Sequence, residues 1–144
     1  MSFTKFLTPV AALWVAASMA CAQETKGDSM IPITVTAGET VLTATLDDTP
    51  AGRDFAALMP LELTLRDYHG IEKIADLPRK LDTTGAPRAY EPKTGDITLY
   101  APWGNLAIFY KPFANSPGLV RLGAFDGSLE ALMRNPTVRF ERAE

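Results

Sequence analysis

Polar and apolar residues alternate over much of this chain, and a period of two is the pattern of strands with one buried face. The clearest runs are residues 30–37 and 40–46, which flank Gly38 and predict a β-hairpin. Residues 72–94 have little periodicity and several prolines and glycines, so we expect a long loop region there, with one short strand at most. Five further strands are predicted, at residues 61–66, 97–100, 106–110, 119–125 and 137–141.

Two segments depart from this alternation and predict short helices. Asp48 or Thr49 can cap a helix that begins at Pro50, and Pro60 ends it. A second helix is predicted over residues 127–133. Strands and helices do not alternate regularly, and no internal repeat is present. The predicted fold is therefore mainly β, a small closed or nearly closed antiparallel barrel with two short flanking helices.

The N-terminal segment has the pattern of a secretory signal. Lys5 precedes an apolar run over residues 6–20, which is too short to span a bilayer comfortably, so an uncleaved anchor is disfavoured. Ala20-Cys21-Ala22 matches the small-residue cleavage pattern. We expect a signal peptide at residues 1–22, a disordered lead-in at 23–29 and one domain at 30–144.

Cleavage after residue 22 makes the protein exported, either periplasmic or secreted, and leaves no predicted membrane span. A lipoprotein acylated at Cys21 is the less favoured alternative, because Ser18 occupies a position where such signals usually carry leucine. Cleavage also removes the only cysteine of the chain. The mature domain then has no disulfide and no thiol nucleophile, so its core must hold it together.

The charge of the chain argues against nucleic acid as a partner. The full sequence carries a formal charge of −3, and removal of Lys5 makes the mature domain −4. Binding of nucleic acid needs a basic face, and an anionic membrane surface also attracts basic segments. We therefore expect no nucleic-acid partner, and the charge gives no support for a membrane partner.

The residue types that common catalytic sites need are scarce. His69 is the only histidine, and the Gly70 that follows it favours a solvated turn over a catalytic base. No serine lies in a Gly-x-Ser-x-Gly context, and no glycine-rich phosphate loop is present. One histidine and no mature cysteine are too few for a zinc or iron site. We expect neither a metal nor a cofactor.

Aromatic residues, by contrast, are concentrated around one predicted turn. Residues 102–105, Pro-Trp-Gly-Asn, suit a tight turn, and Trp103 at its corner is the best candidate for a pocket wall. Alternation separates Leu106, Ile108 and Tyr110 from Ala107 and Phe109, and one of these sets must face the core. The rings in or near this region are those of Tyr100, Trp103, Phe109 and Tyr110, with Tyr68 and Tyr90 as further candidates.

Long ordered segments of the chain resemble the bacterial cyclophilin-like family. The most distinctive is Tyr-Ala-Pro-Trp-Gly-Asn-Leu-Ala-Ile-Phe-Tyr at residues 100–110, and similar segments occupy residues 54–61, 72–81 and 118–123. The resemblance covers nearly all of the mature chain. It implies a small cyclophilin-like β-barrel with two flanking helices, and it implies little about activity, because the family is named for its fold.

Two main hypotheses of function follow. The first is a binding module for a small molecule or an extended peptide, held by Trp103, Phe109 and Tyr68, with Arg79 as a polar anchor. Arg79 has an alternative role as a surface residue lying over apolar neighbours. A third and less specific hypothesis is an assembly or scaffold domain.

The second main hypothesis is a peptidyl-prolyl isomerase acting on exported proteins, which the resemblance suggests if Arg79 serves as the fixed arginine of true cyclophilins. The Phe-His-Arg and Phe-Met-x-Gln-Gly-Gly-Asp segments of true cyclophilins are absent from this sequence. That absence favours a protein without enzymatic activity.

Overall fold

The computed structural model describes residues 30–144 as eleven strands and two helices. The predicted signal at residues 1–22 and the lead-in at 23–29 lie outside the described residues. The helices are α1 (Pro50–Ala57) and α2 (Glu130–Arg134). The strands are β1 (Ile31–Ala37), β2 (Thr40–Leu46), β3 (Leu61–Thr64), β4 (Arg66–Tyr68), β5 (Glu72–Asp76), β6 (Ala89–Tyr90), β7 (Asp96–Tyr100), β8 (Asn105–Phe109), β9 (Ser116–Pro117), β10 (Leu119–Phe125) and β11 (Thr137–Arg142).

Nine of the strands form one antiparallel sheet that closes on itself. Its order is β3-β11-β1-β2-β10-β7-β8-β5-β4, and the remaining strands, β6 and β9, pair with each other. The two outermost strands, β3 and β4, are separated in the chain by Leu65 alone, so one bent segment bonds to both edges of the sheet. Counted as one strand, β3 and β4 leave eight strands around a nearly closed barrel, which confirms the predicted fold class.

The interior of the barrel is filled by the apolar residues that alternate along each strand. In the β1–β2 hairpin, Ile33, Val35 and Leu46 are at most 1 % exposed, as the alternation predicts. Val138 and Phe140 of β11 are buried in the same cluster. Burying these side chains removes a large apolar area from water, and this burial is the main favourable term for a domain without disulfides.

Helix α1 packs against the barrel through its apolar face. The Thr49 side chain caps it by accepting a hydrogen bond from the Gly52 N–H at 3.0 Å, and Pro50 occupies the first turn, as predicted. The Phe55 ring is fully buried and lies edge-on to Phe140, with 5.5 Å between ring centroids. The helix therefore covers part of the β1, β2 and β10 surface.

The segment from residue 66 to residue 76 differs from the sequence expectation. The predicted turn at 67–70 is shorter, because β4 extends to Tyr68 and only His69 and Gly70 have positive φ angles, 54° and 66°. Strand β5 then forms at residues 72–76, and β6 is a second strand within the predicted loop region. Ladder bonds to β4 and β8 on its two sides stabilise β5, and local periodicity does not reveal such bonds.

Both faces of β8 are buried, where alternation predicted a single core face. Leu106 and Ile108 face the barrel interior, whereas Ala107 and Phe109 belong to a second apolar cluster on the outer face of the sheet. Ile74 and Leu119 complete the buried part of that outer cluster. The barrel therefore carries two apolar layers, and the outer layer positions the candidate site.

Two glycines provide a matched test of this packing. A Cβ at Gly123 of β10 would overlap the Thr45 carbonyl oxygen and approach the Leu46 Cα to 2.7 Å, whereas a Cβ at Gly127 would meet nothing within 4 Å. We expect Gly123→Ala to lower the free energy of unfolding by about 1–3 kcal/mol, because overpacking against backbone cannot relax. Chemical denaturation measures this loss. Gly127→Ala is the control and should leave stability within about 0.5 kcal/mol of wild type.

Candidate functional site

The candidate site lies on the outer face of the barrel, and strand register builds its floor. Residues directly opposite one another on β4, β5, β8, β7 and β10 form three rows of outward-facing side chains. The first row is Tyr68, Glu72 and Phe109. The second is Arg66, Ile74, Ala107, Thr98 and Arg121, and the third is Asp76, Asn105, Tyr100 and Leu119.

The small side chain of Ala107 makes the centre of this floor low. It lies opposite Thr98 on one side and Ile74 on the other, while Asn105 precedes it and Phe109 follows it on the same face of β8. The Thr98 hydroxyl donates to the Ala107 carbonyl oxygen at 2.8 Å, so this polar group is satisfied within the floor. A methyl group surrounded by larger side chains leaves a depression in the sheet surface.

The turn between β7 and β8 forms one wall of the depression. The N–H groups of Trp103 and Gly104 both donate to the Tyr100 carbonyl oxygen, and Gly104 has a φ of 70°. This turn holds the Trp103 ring edge-to-face against Tyr100 and Tyr68, with centroid distances of 5.2 and 6.0 Å. The Trp103 side chain nevertheless remains 64 % exposed, so one part of the ring faces solvent.

Phe113 forms the opposite wall, on the segment that joins β8 to β9. Its N–H donates to the Pro92 carbonyl oxygen at 3.1 Å, which fixes the segment beside the sheet. Two adjoining cavities, of about 310 and 350 Å³, share Tyr68, Glu72, Phe109 and Phe113 in their linings. We call these two cavities together the outer groove.

Two polar side chains in the outer groove have unsatisfied acceptors. Burial raises the pKa of Glu72 above its ordinary value, and the Glu72 carboxylate has no hydrogen-bond or ion-pair partner among residues 30–144. Asn105 is 4 % exposed, and its Nδ2 donates to the Leu106 carbonyl oxygen at 3.1 Å. The Asn105 Oδ1 is buried without a partner in the described part of the chain. A buried acceptor such as Asn105 Oδ1 carries a free-energy cost unless something else bonds to it, whereas the half-buried Glu72 carboxylate is only partly removed from water.

Three of the four residues predicted from the sequence lie together in this groove: Tyr68, Trp103 and Phe109. Arg79 does not lie with them. Its guanidinium forms two hydrogen bonds to the Asp54 carboxylate of α1, at 2.7 and 2.8 Å, and the pair lowers the pKa of Asp54. The structure therefore places Arg79 apart from Trp103, outside the groove lining.

Sequence reasoning missed Glu72, Asn105 and Phe113. Glu72 follows the turn after Tyr68 and begins a short strand, so pairing β5 with β4 would have placed the two side chains opposite each other. The polar Asn105 lies at the end of an apolar strand, which was the available signal for a special position. Nothing in the local sequence indicates that Phe113 folds back beside Phe109.

A second cleft, of about 300 Å³, lies between α1, residues 84–87 and β10. Arg121 Nε lies 3.0 Å from Asp47 Oδ2, and Tyr90 donates to Asp96 Oδ2 at 2.6 Å. Burial and the Asp96 hydrogen bond raise the pKa of Tyr90. Asp47 and Arg121 of this cleft thus form an ion pair, although the buried Arg121 Nε makes no aligned hydrogen bond. Glu72 in the outer groove has no such charged partner among residues 30–144.

Within residues 30–144, no three His, Cys, Asp or Glu side chains come together as a potential metal site. None of the helices in the same range combines the length and the apolar character that a bilayer crossing requires.

The nearly closed barrel with two helices agrees with what a family comparison finds. The model of the cyclophilin-like family matches residues 35–141. The chain belongs to the cyclophilin-like family. The match spans most of the chain and includes the residues of all three rows of the groove floor.

A solved structure has the same fold. The solution structure of the hypothetical protein AF2241 from Archaeoglobus fulgidus aligns with a TM-score of 0.55 at 15 % identity, covering 79 % of this chain and 95 % of that one. No curated protein matches the chain. At this identity the likeness concerns the fold alone.

The raised pKa of Glu72 predicts that removing its charge increases the stability of the fold, and that the increase depends on pH. An acid whose pKa is raised by folding costs stability when ionised. This cost is full above the raised pKa of the folded state, decreases as pH falls toward the ordinary value of 4.5, and is absent below it. We expect Glu72→Gln to raise the free energy of unfolding at pH 7 by up to about 1 kcal/mol and to have no effect near pH 3. Thermal denaturation at both pH values measures this difference.

Glu39→Gln, in the exposed β1–β2 turn, is the matched control and should be neutral at both pH values. A loss of stability in Glu72→Gln at pH 7 would show that the carboxylate has a stabilising partner.

Proposed function

We propose that this cyclophilin-like domain is a binding module that holds a small molecule or an extended peptide segment in the outer groove. The observation that carries the proposal is the groove itself, which five aromatic side chains line and which holds the half-buried Glu72 carboxylate and the unpartnered Asn105 Oδ1. Concave, mostly apolar sites with a few polar groups are typical of small-ligand pockets, which start at about 300 Å³. The five rings are those of Tyr68, Tyr100, Trp103, Phe109 and Phe113.

The polar residues of the groove support binding over catalysis. His69 and Ser116 line its two cavities, but the Ser116 hydroxyl donates to the Ala114 carbonyl oxygen at 2.8 Å. A nucleophilic serine needs a hydrogen bond to its base, which this hydroxyl does not make. Ring contacts and the release of water can hold a ligand without a chemical reaction at His69 or Ser116.

The proposal includes export, with the domain working in the periplasm or after secretion. Its support is the pattern of residues 1–22, a basic start, a short apolar run and Ala-Cys-Ala. Mass spectrometry of the mature N-terminus would test cleavage after Ala22 and would also detect an acylated Cys21.

The contribution of Trp103 to binding can be tested with little risk to the fold, because its side chain is largely exposed. We expect Trp103→Ala to weaken binding at least about fivefold for any compound that wild type binds in a panel of small aromatic compounds and proline-containing peptides. Isothermal titration calorimetry on the full chain measures the affinity. Met133 of α2 is also exposed and apolar, so Met133→Ala is the control and should bind like wild type.

If Trp103→Ala and wild type bind with equal affinity, the groove is not the binding site. Absence of any binding from the panel would count against the binding function.

The isomerase alternative needs an arginine that is free to act in the groove. Arg79 instead donates two hydrogen bonds to the Asp54 carboxylate, away from the groove. Neither groove cavity has an arginine among its described lining residues. In a protease-coupled assay with a series of residues before proline, we therefore expect the rate with this protein to equal the uncatalysed rate. A rate above background that Trp103→Ala abolishes would instead favour isomerase activity in the same groove.

A further inference from the structure

The position of Glu72 in the groove has a consequence for the chemistry of the ligand. Its side chain lies between Tyr68 and Phe109, opposite one residue on each neighbouring strand. The adjacent Lys73 points to the other face of β5, where its ammonium lies 3.5 Å from Asp67 Oδ1 and 5.8 Å from the centroid of the Tyr110 ring. Alternation along β5 therefore separates Lys73 from Glu72. Arg66 of β4 is on the same outward face as Glu72, and its guanidinium lies 3.8 Å from the Asp76 carboxylate.

The walls of the groove add no positive charge. Neither cavity has a lysine or arginine among its described lining residues. The rings of Tyr68, Trp103 and Phe113 line the same cavity as Glu72. The faces of aromatic rings carry negative potential and attract cations. The Glu72 carboxylate and the ring faces therefore both favour a positively charged ligand.

Asn105 provides a second and independent acceptor on the same floor. Its Nδ2 is engaged by the Leu106 carbonyl oxygen, which leaves the buried Oδ1 turned away from that bond and unpartnered within residues 30–144. A ligand that satisfies these groups must bring hydrogen-bond donors or positive charge. An anionic ligand would meet an uncompensated carboxylate instead.

We propose that the outer groove binds an organic ammonium ion that carries an apolar substituent, with the Glu72 carboxylate as its counter-ion and the aromatic side chains as its walls. This inference rests on the proposed binding function and specifies the ligand class for the same site. The size of the cavities, about 310 and 350 Å³, suits a small molecule of this kind.

Three soluble probes of similar apolar body test the charge preference: benzyltrimethylammonium, benzyl alcohol and benzoate. Calorimetric titration of the full chain at pH 7 should give the highest affinity for the cation, about tenfold above the alcohol, and the lowest for benzoate. Glu72→Gln should lower the affinity for the cation about tenfold and leave that for the alcohol unchanged. Glu39→Gln is the matched control and should retain the wild-type order of affinities.

The outcomes separate the ligand class from the binding function. Equal affinities for cation and alcohol in wild type, or an unchanged cation affinity in Glu72→Gln, would overturn the ammonium assignment while the groove remained a binding site. No binding of benzyltrimethylammonium would also overturn it. If peptides or neutral aromatic compounds then bound in a Trp103-dependent manner, the proposed function would stand without this ligand class.

Discussion

The structure depends on one short segment that bonds to both edges of the sheet. Residues 61–68 pair with β11 through β3 and with β5 through β4, and the change of partner occurs at Leu65. There the ladder is interrupted, and the Leu65 N–H instead donates to the Pro136 carbonyl oxygen at 2.6 Å. Closure leaves few exposed strand edges and encloses a core that no disulfide supports. It also fixes β4 beside β5, and Tyr68 and Glu72 face the groove only because these strands pair.

Closure alone does not produce a groove, since a barrel can be fully solvated on its outside. Here the outer faces of β5, β7, β8 and β10 carry apolar residues, which bury a second cluster beside the main core. The turn at Trp103 and the segment at Phe113 cover this cluster only in part. The groove is the uncovered remainder of that layer, and Ala107 makes it deep enough to be concave. A partly covered apolar layer with exposed rings is the kind of surface that marks a binding site.

Much of the fold was predictable because its strands alternate regularly. The hairpin, the capped start of α1 and the inward face of β11 follow from local pattern and capping chemistry. Prediction was wrong at residues 67–68, where a turn signal hid the end of β4, and β6 is an additional strand in the predicted loop region. The one short strand expected in residues 72–94 could not be placed from the sequence, because the polar, five-residue β5 shows no clear period. Short strands of this kind form because partners on both sides complete their hydrogen bonds, and those partners are distant in the sequence.

The candidate site divides in the same way. The sequence alone determined which aromatic residues are present, the tight turn at Trp103, the mild negative charge and the shortage of catalytic residue types. Only the tertiary structure decided that Tyr68, Phe109 and Trp103 meet, that Arg79 pairs with Asp54, and that Glu72 stays without a partner in the described chain. These outcomes depend on strand register between segments tens of residues apart. Local periodicity specifies which face a side chain takes, but not which side chain lies opposite it.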